Sequence, residues 1–365
     1  MKLQEFKMAG HWPTLLAAFL YFDISFMVWV SLGPLMIYIT KDMPIPVEDK
    51  LTLAAIPVLG GAFFRVPVGA IADIFGAKRT GVVAQSIVLL AVAEAYFFGL
   101  RSPMAITLFG VILGIAGASF AVALPQASRW YPPHYQGVVM GITGAGNMGV
   151  VLDSLFAPVI AEHFGWQAVY GILLAPMILV LAYYVIAAKD APSARVPVSW
   201  TAYGKLLRDA DSRWFMFFYF ITFGGFVGLA AALPLYFTVH FHATGVAAGL
   251  MVAMIVACGS GFRPVGGYIA DRIGGIRTLS ILFMIVAATY LAVAFLHEGP
   301  APHTTKAGWD LFELPLAAWT AVALFSLGVL SLGMGNGAVF QLLPQRFRKE
   351  IGVMTGLVGA AGGLG

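Results

Sequence analysis

Two arginines occupy matching positions in a stretch of sequence that occurs twice in the chain. Residues 63–79 read FFRVPVGAIADIFGAKR and residues 262–277 read FRPVGGYIADRIGGIR, which aligns Arg65 with Arg263. Each copy follows a long apolar run, so we expect each arginine within a membrane-spanning helix. An arginine at membrane depth costs from about 2.5 to more than 10 kcal/mol, and a guanidinium can donate two in-plane hydrogen bonds to an oxyanion. The pair therefore predicts one anion-binding site between two repeated halves of the chain.

The same repeat places an acid and a further arginine near the end of each copy. Asp73 and Arg79 in the first copy align with Asp271 and Arg277 in the second. Each acid precedes a short charged turn, where it can cap a neighbouring helix or pair with a loop arginine. We expect these four residues to form a latch that holds one conformation.

Composition identifies the class of protein. Hydrophobic residues make up 60% of the 365 residues, charged residues make up 10%, and the mean hydropathy is +0.88. A soluble chain carries about 25% charged residues, so this is a membrane protein with several spans. The single cysteine, Cys258, excludes a disulfide framework and any multi-cysteine metal or iron–sulfur site. The net charge of +4 comes from short loops that set membrane orientation, so we expect no nucleic-acid partner, and we expect no cofactor.

Ten apolar runs are long enough to cross a hydrocarbon layer of about 30 Å. They lie near residues 14–39, 51–72, 80–99, 104–130, 137–161, 167–188, 213–239, 245–270, 278–297 and 315–343. An eleventh run begins near Ile351 and reaches Gly365, about 15 residues that rise roughly 22 Å, which is short of a full span. We therefore expect the sequence to stop inside a helix. A twelve-helix protein would need the rest of that helix and one more.

Basic residues fall unevenly on the two sides of the predicted bundle. If the N-terminus is cytoplasmic, fifteen of the 21 Lys and Arg residues lie in cytoplasmic segments, and two, Arg65 and Arg263, lie within spans. The outer loops hold the remaining four, Lys41, Lys50, Arg101 and Lys306. This positive-inside bias predicts a multi-pass protein of the cell (inner) membrane with a cytoplasmic N-terminus.

The longest of the basic loops, residues 189–212, divides the chain into two similar parts. We expect an N-terminal six-helix half at 1–188 and a C-terminal half at 213–365, with a short surface helix at 201–210 in the loop. The fourth and tenth runs both end in Leu-Pro-Gln, and a glycine-rich helix follows each. Two halves repeated in one orientation are typical of the major facilitator fold, an all-α polytopic architecture. The doubled GAIADIFGAKR stretch resembles the inner-loop signature of that superfamily.

The glycine-rich helix GITGAGNMG, residues 141–149, together with the two arginines, resembles the nitrate/nitrite porter family of the major facilitators. That family carries a glycine-rich signature in helix five and again in helix eleven, where this chain reads GLVGAAGGLG. The resemblance implies that Arg65 and Arg263 hold the anion from opposite sides. It also implies substrate-lining roles for five further residues, namely Phe120, Gly144, Asn147, Tyr219 and Phe223.

The function implied by this resemblance is secondary active transport of nitrate, nitrite or both by rocker-switch alternating access. Nitrate/proton symport and nitrate/nitrite antiport are both compatible with the sequence. Nitrate is planar, monovalent and weakly hydrated, so guanidinium planes and aromatic walls suit it. We expect a monomer in the lipid bilayer that is not an enzyme. Its substrate is a small inorganic anion, and protons are a candidate co-substrate.

Three acids fall within apolar runs. Asp23 lies in the middle of the first run and is the candidate for proton coupling, because burial disfavours its charged form. We expect Glu94 to face a neighbouring helix or a polar cavity, and Asp153 to lie nearer the outer side, close to the entry path. A structural hydrogen-bonding role stays open for each of the three.

Two other functions also stay open from the sequence. A porter for another small organic anion would use the same two arginines, and the glycine-rich signature is the feature that separates it from a nitrate porter. A haem-bearing membrane redox enzyme needs histidine pairs inside helices as axial ligands, whereas the seven histidines fall at helix ends or in loops. An absorbance spectrum that lacks a Soret band would exclude that enzyme.

Overall fold

The computed structural model describes residues 3–43, 45–132, 136–192, 200–297, 308, 310–347 and 351–365. Ten helices in these residues are long and apolar enough to cross a membrane. They are α1 (Trp12–Asp42), α2 (Asp49–Phe75), α3 (Ala77–Phe98), α4 (Pro103–Ser128), α5 (Ile142–Phe164), α6 (Trp166–Ala187), α7 (Ala210–Phe241), α8 (Gly245–Ile273), α9 (Gly275–Ala294) and α10 (Leu316–Leu343). A shorter apolar helix, α11 (Ile351–Leu364), follows. The predicted all-α polytopic fold is confirmed, and each of the ten predicted runs corresponds to one of these helices, with small differences at the ends.

Two of these helices contain irregular turns, α5 near its start and α7 in its interior. The helical segment of α5 takes a 3₁₀ turn at Ala145–Asn147. The α7 helix contains a π turn at Phe220–Gly224, between regular segments that end at Tyr219 and begin at Gly225. Turns of this kind inside α-helices frequently mark functional sites. Both lie next to residues that the sequence assigned to substrate.

The connection between α6 and α7 contains a short helix, Trp200–Arg208, where a surface helix was expected at 201–210. Residues 193–199 of this connection lie outside the described residues. Below, α1–α6 are called the first half and α7–α11 the second half. The domain limits 1–188, 189–212 and 213–365 stay a prediction.

Two matched turns, between α2 and α3 and between α8 and α9, lie at one end of the bundle. This end is called the basic end below, and the opposite end is called the far end. The turns contain Gly76 and Gly274, which the repeat aligns, with φ angles of 98° and 91°. Glycine adopts positive φ without steric cost, so the chain reverses within one residue. Asp190, after α6, accepts a hydrogen bond from the Lys78 backbone N–H (2.9 Å) and joins α6 to the start of α3.

Glycines allow the close helix crossings that position the two arginines. A Cβ added to Gly114 on α4 would lie 2.5 Å from the carbonyl carbon of Gly60 on α2. In the second half, a Cβ at Gly333 on α10 would overlap the backbone of Gly259 on α8. Small residues at such crossings let membrane helices gain van der Waals contact along their backbones. Arg65 follows the first crossing on α2 by about one turn, and Arg263 follows the second on α8 by about one turn.

The two halves approach each other closely at the far end. An added Cβ at Gly33 on α1 would lie 2.8 Å from the Ala231 carbonyl oxygen on α7. A Cβ at Gly249 on α8 would lie 2.6 Å from the Ser154 carbonyl oxygen on α5. These contacts leave no room for a side chain between the backbones. The far end is therefore closed between the halves in this conformation.

We predict that Gly333→Ala destabilises the fold, because the added methyl group would overlap the backbone of Gly259. Overpacking of this kind costs about 1–3 kcal/mol, so the thermal unfolding midpoint in detergent should fall. Gly228→Ala on α7 is the matched control, since a Cβ there meets no atom within 4 Å. It should not lower the midpoint. An unchanged midpoint for Gly333→Ala would contradict the tight crossing of α8 and α10.

Candidate functional site

Arg65 on α2 is 1% exposed and bonds to both halves of the bundle. Its Nε donates to the Gly117 carbonyl of α4 (3.1 Å), and its Nη1 donates to the Gly359 carbonyl of α11. Its Nη2 is buried without a hydrogen-bond partner in the described residues. The guanidinium thus links α2 to α11 and keeps one donor group unpaired.

Three aromatic rings surround the Arg65 guanidinium. The ring centroids of Trp29, Phe120 and Phe223 lie 5.3, 5.5 and 4.8 Å from its Cζ atom. The negative face of an aromatic ring attracts a cation, and the attraction is larger when the cation is desolvated. Within the described part of the chain, no carboxylate forms an ion pair with Arg65. Rings and carbonyl oxygens are therefore the protein groups that stabilise its charge.

Arg263 on α8 has a similar environment in the second half and is partly buried. Its Nη2 donates to the Tyr219 hydroxyl (3.4 Å), and its Cζ lies 5.5 Å from the ring centroid of Phe340 on α10. Its Nη1 is buried and has no partner among the described residues. Arg263 also lacks an ion pair with any described carboxylate. Each arginine therefore combines an aromatic face with an unpaired donor.

Tyr219 and Phe223 on α7 connect the two arginines. Their rings stack with centroids 5.0 Å apart and planes 11° apart, on either side of the start of the π turn. Phe223 faces Arg65, whereas Tyr219 bonds to Arg263. Both guanidinium groups are positively charged, and this one stacked aromatic pair lies between them. Because the two charges repel, a monovalent anion bound between them would be stabilised by both.

The glycine-rich segment of α5 carries a buried amide. Asn147 ends the 3₁₀ turn, is 2% exposed, and its Oδ1 has no hydrogen-bond partner in the described residues. Gly146 and Gly149 pack directly on the α1 backbone at Asp23. Gly144 is buried, yet an added Cβ would meet no atom within 4 Å, so open space lies beside it. The segment therefore combines close packing on α1 with an unfilled space at Gly144.

The second glycine-rich segment, on α11, packs against the predicted site residues. Gly359 supplies the carbonyl that accepts from Arg65, and an added Cβ there would lie 3.1 Å from the Phe120 ring. A Cβ at Gly362 would overlap the Tyr219 ring. The absence of side chains thus lets α11 approach both the α4 and the α7 aromatic residues.

The three acids that fall within the predicted apolar runs have different environments. Asp23 is partly exposed, and its backbone packs closely against Gly149 of α5. Asp153 is 0% exposed, lies near Tyr170, and has no partner for either carboxylate oxygen among the described residues. Glu94 is exposed on α3, so it does not pack against a neighbouring helix, and the alternative that it faces a polar cavity stays a prediction. It lies within about a turn of the far end of α3, where a long side chain can reach the membrane interface.

The predicted latch residues lie at the basic end but do not pair within the repeat. Asp73 forms an ion pair with Arg129 at the end of α4, at 2.6 Å. Asp271 accepts a hydrogen bond from Gln341 Nε2 of α10 (2.8 Å). Arg79 and Arg277 are exposed and form no ion pair with a described residue. Asp73 therefore connects α2 to the end of α4, and Asp271 connects α8 to α10. The latch itself stays a prediction.

Two aromatic residues that face the arginines, Trp29 and Phe340, were not predicted from the sequence. Trp29 donates from Nε1 to the Pro57 carbonyl (2.6 Å) and fills the space left by Gly61 and Gly117. Phe340 faces Arg263, but the Leu-Pro-Gln alignment puts Val339, not Phe340, opposite Phe120. The shift of one residue explains why the repeat did not reveal it. Among the described residues, no group of three or more His, Cys, Asp or Glu could hold a metal ion.

The comparison with known families covers almost the whole chain. Residues 15–365 match the family described as Major Facilitator Superfamily. The chain belongs to the major facilitator superfamily. The superfamily predicted from the doubled arginine stretch is thereby confirmed.

Curated relatives of this major facilitator align over most of their length. It is 34% identical over 354 residues to the "Nitrite extrusion protein" of Bacillus subtilis strain 168, covering 93% of this chain and 81% of the relative. It is 34% identical over 348 residues to the "Probable nitrate transporter NarT" of Staphylococcus carnosus strain TM300, covering 93% and 82%. The relatives named in this way agree with the family resemblance drawn from the glycine-rich signature.

A solved structure supports the fold of this major facilitator. The bacterial homologue of the human lysosomal transporter Spinster, crystallised in an inward-facing and occupied conformation, superposes with a TM-score of 0.68. The match covers 96% of this chain and 79% of that chain, at 15% sequence identity. At that identity the likeness supports the architecture alone.

We predict that Arg65→Lys or Arg263→Lys removes most anion binding while the protein stays folded. Lysine keeps the charge but loses the planar two-point donor, and a hydrogen bond to a charged group contributes about 1.5–3 kcal/mol. Nitrate titration calorimetry on each purified variant measures the loss. Arg208→Lys, at an exposed position on the surface helix, is the control. Near-native nitrate affinity in both site variants would remove the arginine pair from the site.

Proposed function

We propose that this protein is a secondary active transporter of nitrate and nitrite that works by alternating access. The observation that carries the proposal is the pair of membrane-depth arginines, each with an unpaired donor and without an ion-paired carboxylate in the described residues. Relatives at 34% identity are named for nitrite extrusion and nitrate transport. Both arginines belong to one chain, so a monomer holds a complete site.

The chemistry of the site suits a small trigonal oxyanion. Guanidinium groups donate in-plane hydrogen bonds, and aromatic walls tolerate a weakly hydrated anion better than a strongly hydrated one. Phe120, Phe223 and Tyr219 supply those walls. The neutral amide of Asn147 adds hydrogen-bonding capacity without adding charge. Gly144 contributes by leaving space rather than by donating a group.

The proposal includes an orientation and a location. The positive-inside bias puts the basic end and the N-terminus in the cytoplasm of a cell whose inner membrane holds the protein. The far end then faces outside, and the contacts at Gly33 and Gly249 close that side. Under this orientation the conformation described above is closed to the outside.

Alternating access requires the two halves to change their contacts around a fixed site. The pairs Gly33/Ala231 and Gly249/Ser154 each join one half to the other, so both must separate when the outer side opens. The hydrogen bond from Arg65 to Gly359 also joins the halves. In contrast, Asp73/Arg129 and Asp271/Gln341 lie within single halves and keep each half rigid at the basic end as it rocks.

We predict that proteoliposomes containing the purified protein take up labelled nitrate when preloaded with nitrite or nitrate. Unlabelled nitrate and nitrite should compete for this uptake, whereas chloride and small carboxylates such as formate should compete weakly. Empty liposomes and the Arg65→Lys protein are the controls. Uptake that formate suppresses as well as nitrite does would favour a porter for small organic anions. Absence of nitrate uptake under every loading would contradict the proposed function.

The coupling mode depends on charge. Importing one anion against an inside-negative potential costs about 2.3 kcal/mol per 100 mV, and nitrate/nitrite exchange cancels that charge without a titratable group. Proton symport needs a protonatable site, which the arginines do not supply because a guanidinium stays protonated. We propose Asp23 for this role. It is partly exposed and packs against α5 at Gly149, whereas Asp153 has no exposed surface through which a proton could enter.

We predict that Asp23→Asn loses nitrate uptake driven by an imposed pH gradient but keeps nitrate/nitrite counterflow. The amide resembles the protonated carboxyl in shape and cannot release a proton. Glu94→Gln, an exposed acid on α3, is the control and should keep both activities. Wild-type protein that shows counterflow but no pH-driven uptake would make this transporter an exchanger and Asp23 a structural residue.

A further inference from the structure

Asn336 on α10 is a buried amide that the site described above does not use. It lies in the sequence Gly333-Met334-Gly335-Asn336-Gly337 and is 1% exposed. Its Oδ1 is buried without a partner, and its side chain makes no hydrogen bond to a described residue. An unpaired buried polar group is destabilising, since it has lost its bonds to water. The amide therefore lacks a structural partner that would account for it.

The helix register places Asn336 on the side of α10 that faces Tyr219 and Arg263. Residues four apart share a helix face, so Asn336, one turn before Phe340 in the chain, lies on the same face as Phe340. The Phe340 ring centroid lies 5.1 Å from the Tyr219 ring and 5.5 Å from the Arg263 Cζ. Asn336 therefore shares the face of α10 that meets the site.

The neighbouring glycines fix the two sides of that face. Gly333 and Gly337 pack on the α8 backbone, Gly333 at Gly259 and Gly337 at Arg263. On the other side, a Cβ at Gly335 would lie 2.5 Å from Thr222 Cγ2 in the π turn of α7. Asn336 lies between these two sets of contacts on the helix surface, so it faces the space between α7 and α8. Those two helices carry Tyr219, Phe223 and Arg263.

We propose that Asn336 donates a hydrogen bond to the bound oxyanion from the second half and favours nitrate over nitrite. This inference rests on the proposed function. Asn147 offers an amide from α5 of the first half, so the anion would meet one arginine and one amide from each half. An amide adds a donor without adding charge. The two arginines already supply two positive charges for a monovalent ion.

The selectivity follows from the number of oxygen atoms. Two guanidinium groups can engage two oxygens of either anion. Nitrate has a third oxygen, whereas nitrite has none. A site built to donate to a group discriminates against an analogue that lacks it, because the donor is then left unpaired. Removal of the amide should therefore weaken nitrate binding more than nitrite binding.

The test is calorimetric titration of the purified full chain with sodium nitrate and with sodium nitrite. Asn336→Ala should weaken nitrate binding by about tenfold or more, the scale of a lost bond to a charged group, and nitrite binding by a clearly smaller factor. Asn336→Leu, which has similar volume and no donor, should give the same change and also fills any cavity. Ser331→Ala is the control. Ser331 is 1% exposed on the same helix, and its hydroxyl donates to the Leu327 carbonyl (2.9 Å).

The outcomes separate this inference from the function on which it rests. A wild-type protein that binds neither anion would overturn both. A wild-type protein that binds nitrate, with the nitrate-to-nitrite affinity ratio unchanged in the folded Asn336 variants, would overturn the role of Asn336 alone. An equal change in the Ser331→Ala protein would also overturn it, because the effect would then come from α10 packing. Thermal midpoints without anion confirm that each variant is folded.

Discussion

The structure depends on holding two positive charges at membrane depth without a carboxylate partner in the described residues. Such a charge costs from about 2.5 to more than 10 kcal/mol in an apolar surrounding. Aromatic faces at Arg65 and Arg263 offset part of this cost, and carbonyl and hydroxyl oxygens offset a further part. An ion pair within the protein would satisfy the charges more fully, but it would compete with an anionic substrate. In the proposed site, this incomplete compensation would give the arginine pair affinity for an anion.

The glycine distribution serves the same requirement. The α2/α4 and α8/α10 crossings bring backbones together about one turn from each arginine, which places carbonyl groups and aromatic rings within reach of the guanidinium. At α11, Gly359 lets a carbonyl from the second half approach Arg65 of the first half. That bond makes the charge balance of Arg65 sensitive to how the halves are arranged. In the proposed cycle, separation of α2 from α11 would leave another donor of Arg65 without its partner, which strengthens the demand for an anion or water there.

Much of the architecture could be predicted from the sequence, because it depends on local composition and on the repeat. The ten spans follow from runs of apolar residues, and the matched turns after Asp73 and Asp271 follow from the repeat. The superfamily follows from the doubled arginine stretch. These features need no knowledge of which helices touch.

The details that the sequence did not provide depend on contacts between distant helices. Trp29 reaches Arg65 only because α1 packs into the space left by Gly61 and Gly117. Phe340 occupies a position one residue away from the aligned one, and Asp73 pairs with Arg129 rather than with an arginine of its own repeat copy. The π turn of α7 has no clear local signal, since apolar residues precede and follow it. Candidate site residues that carry charge were easier to find than the apolar residues that stabilise that charge.

The most direct test of the account is a crystal structure of the protein grown in nitrate, with difference density calculated before any ligand is placed. The account predicts planar density between the two guanidinium groups, within hydrogen-bonding distance of both Arg65 and Arg263 and against the Phe120 and Phe223 rings. Nitrate density that contacts neither arginine, in protein that transports nitrate, would contradict it.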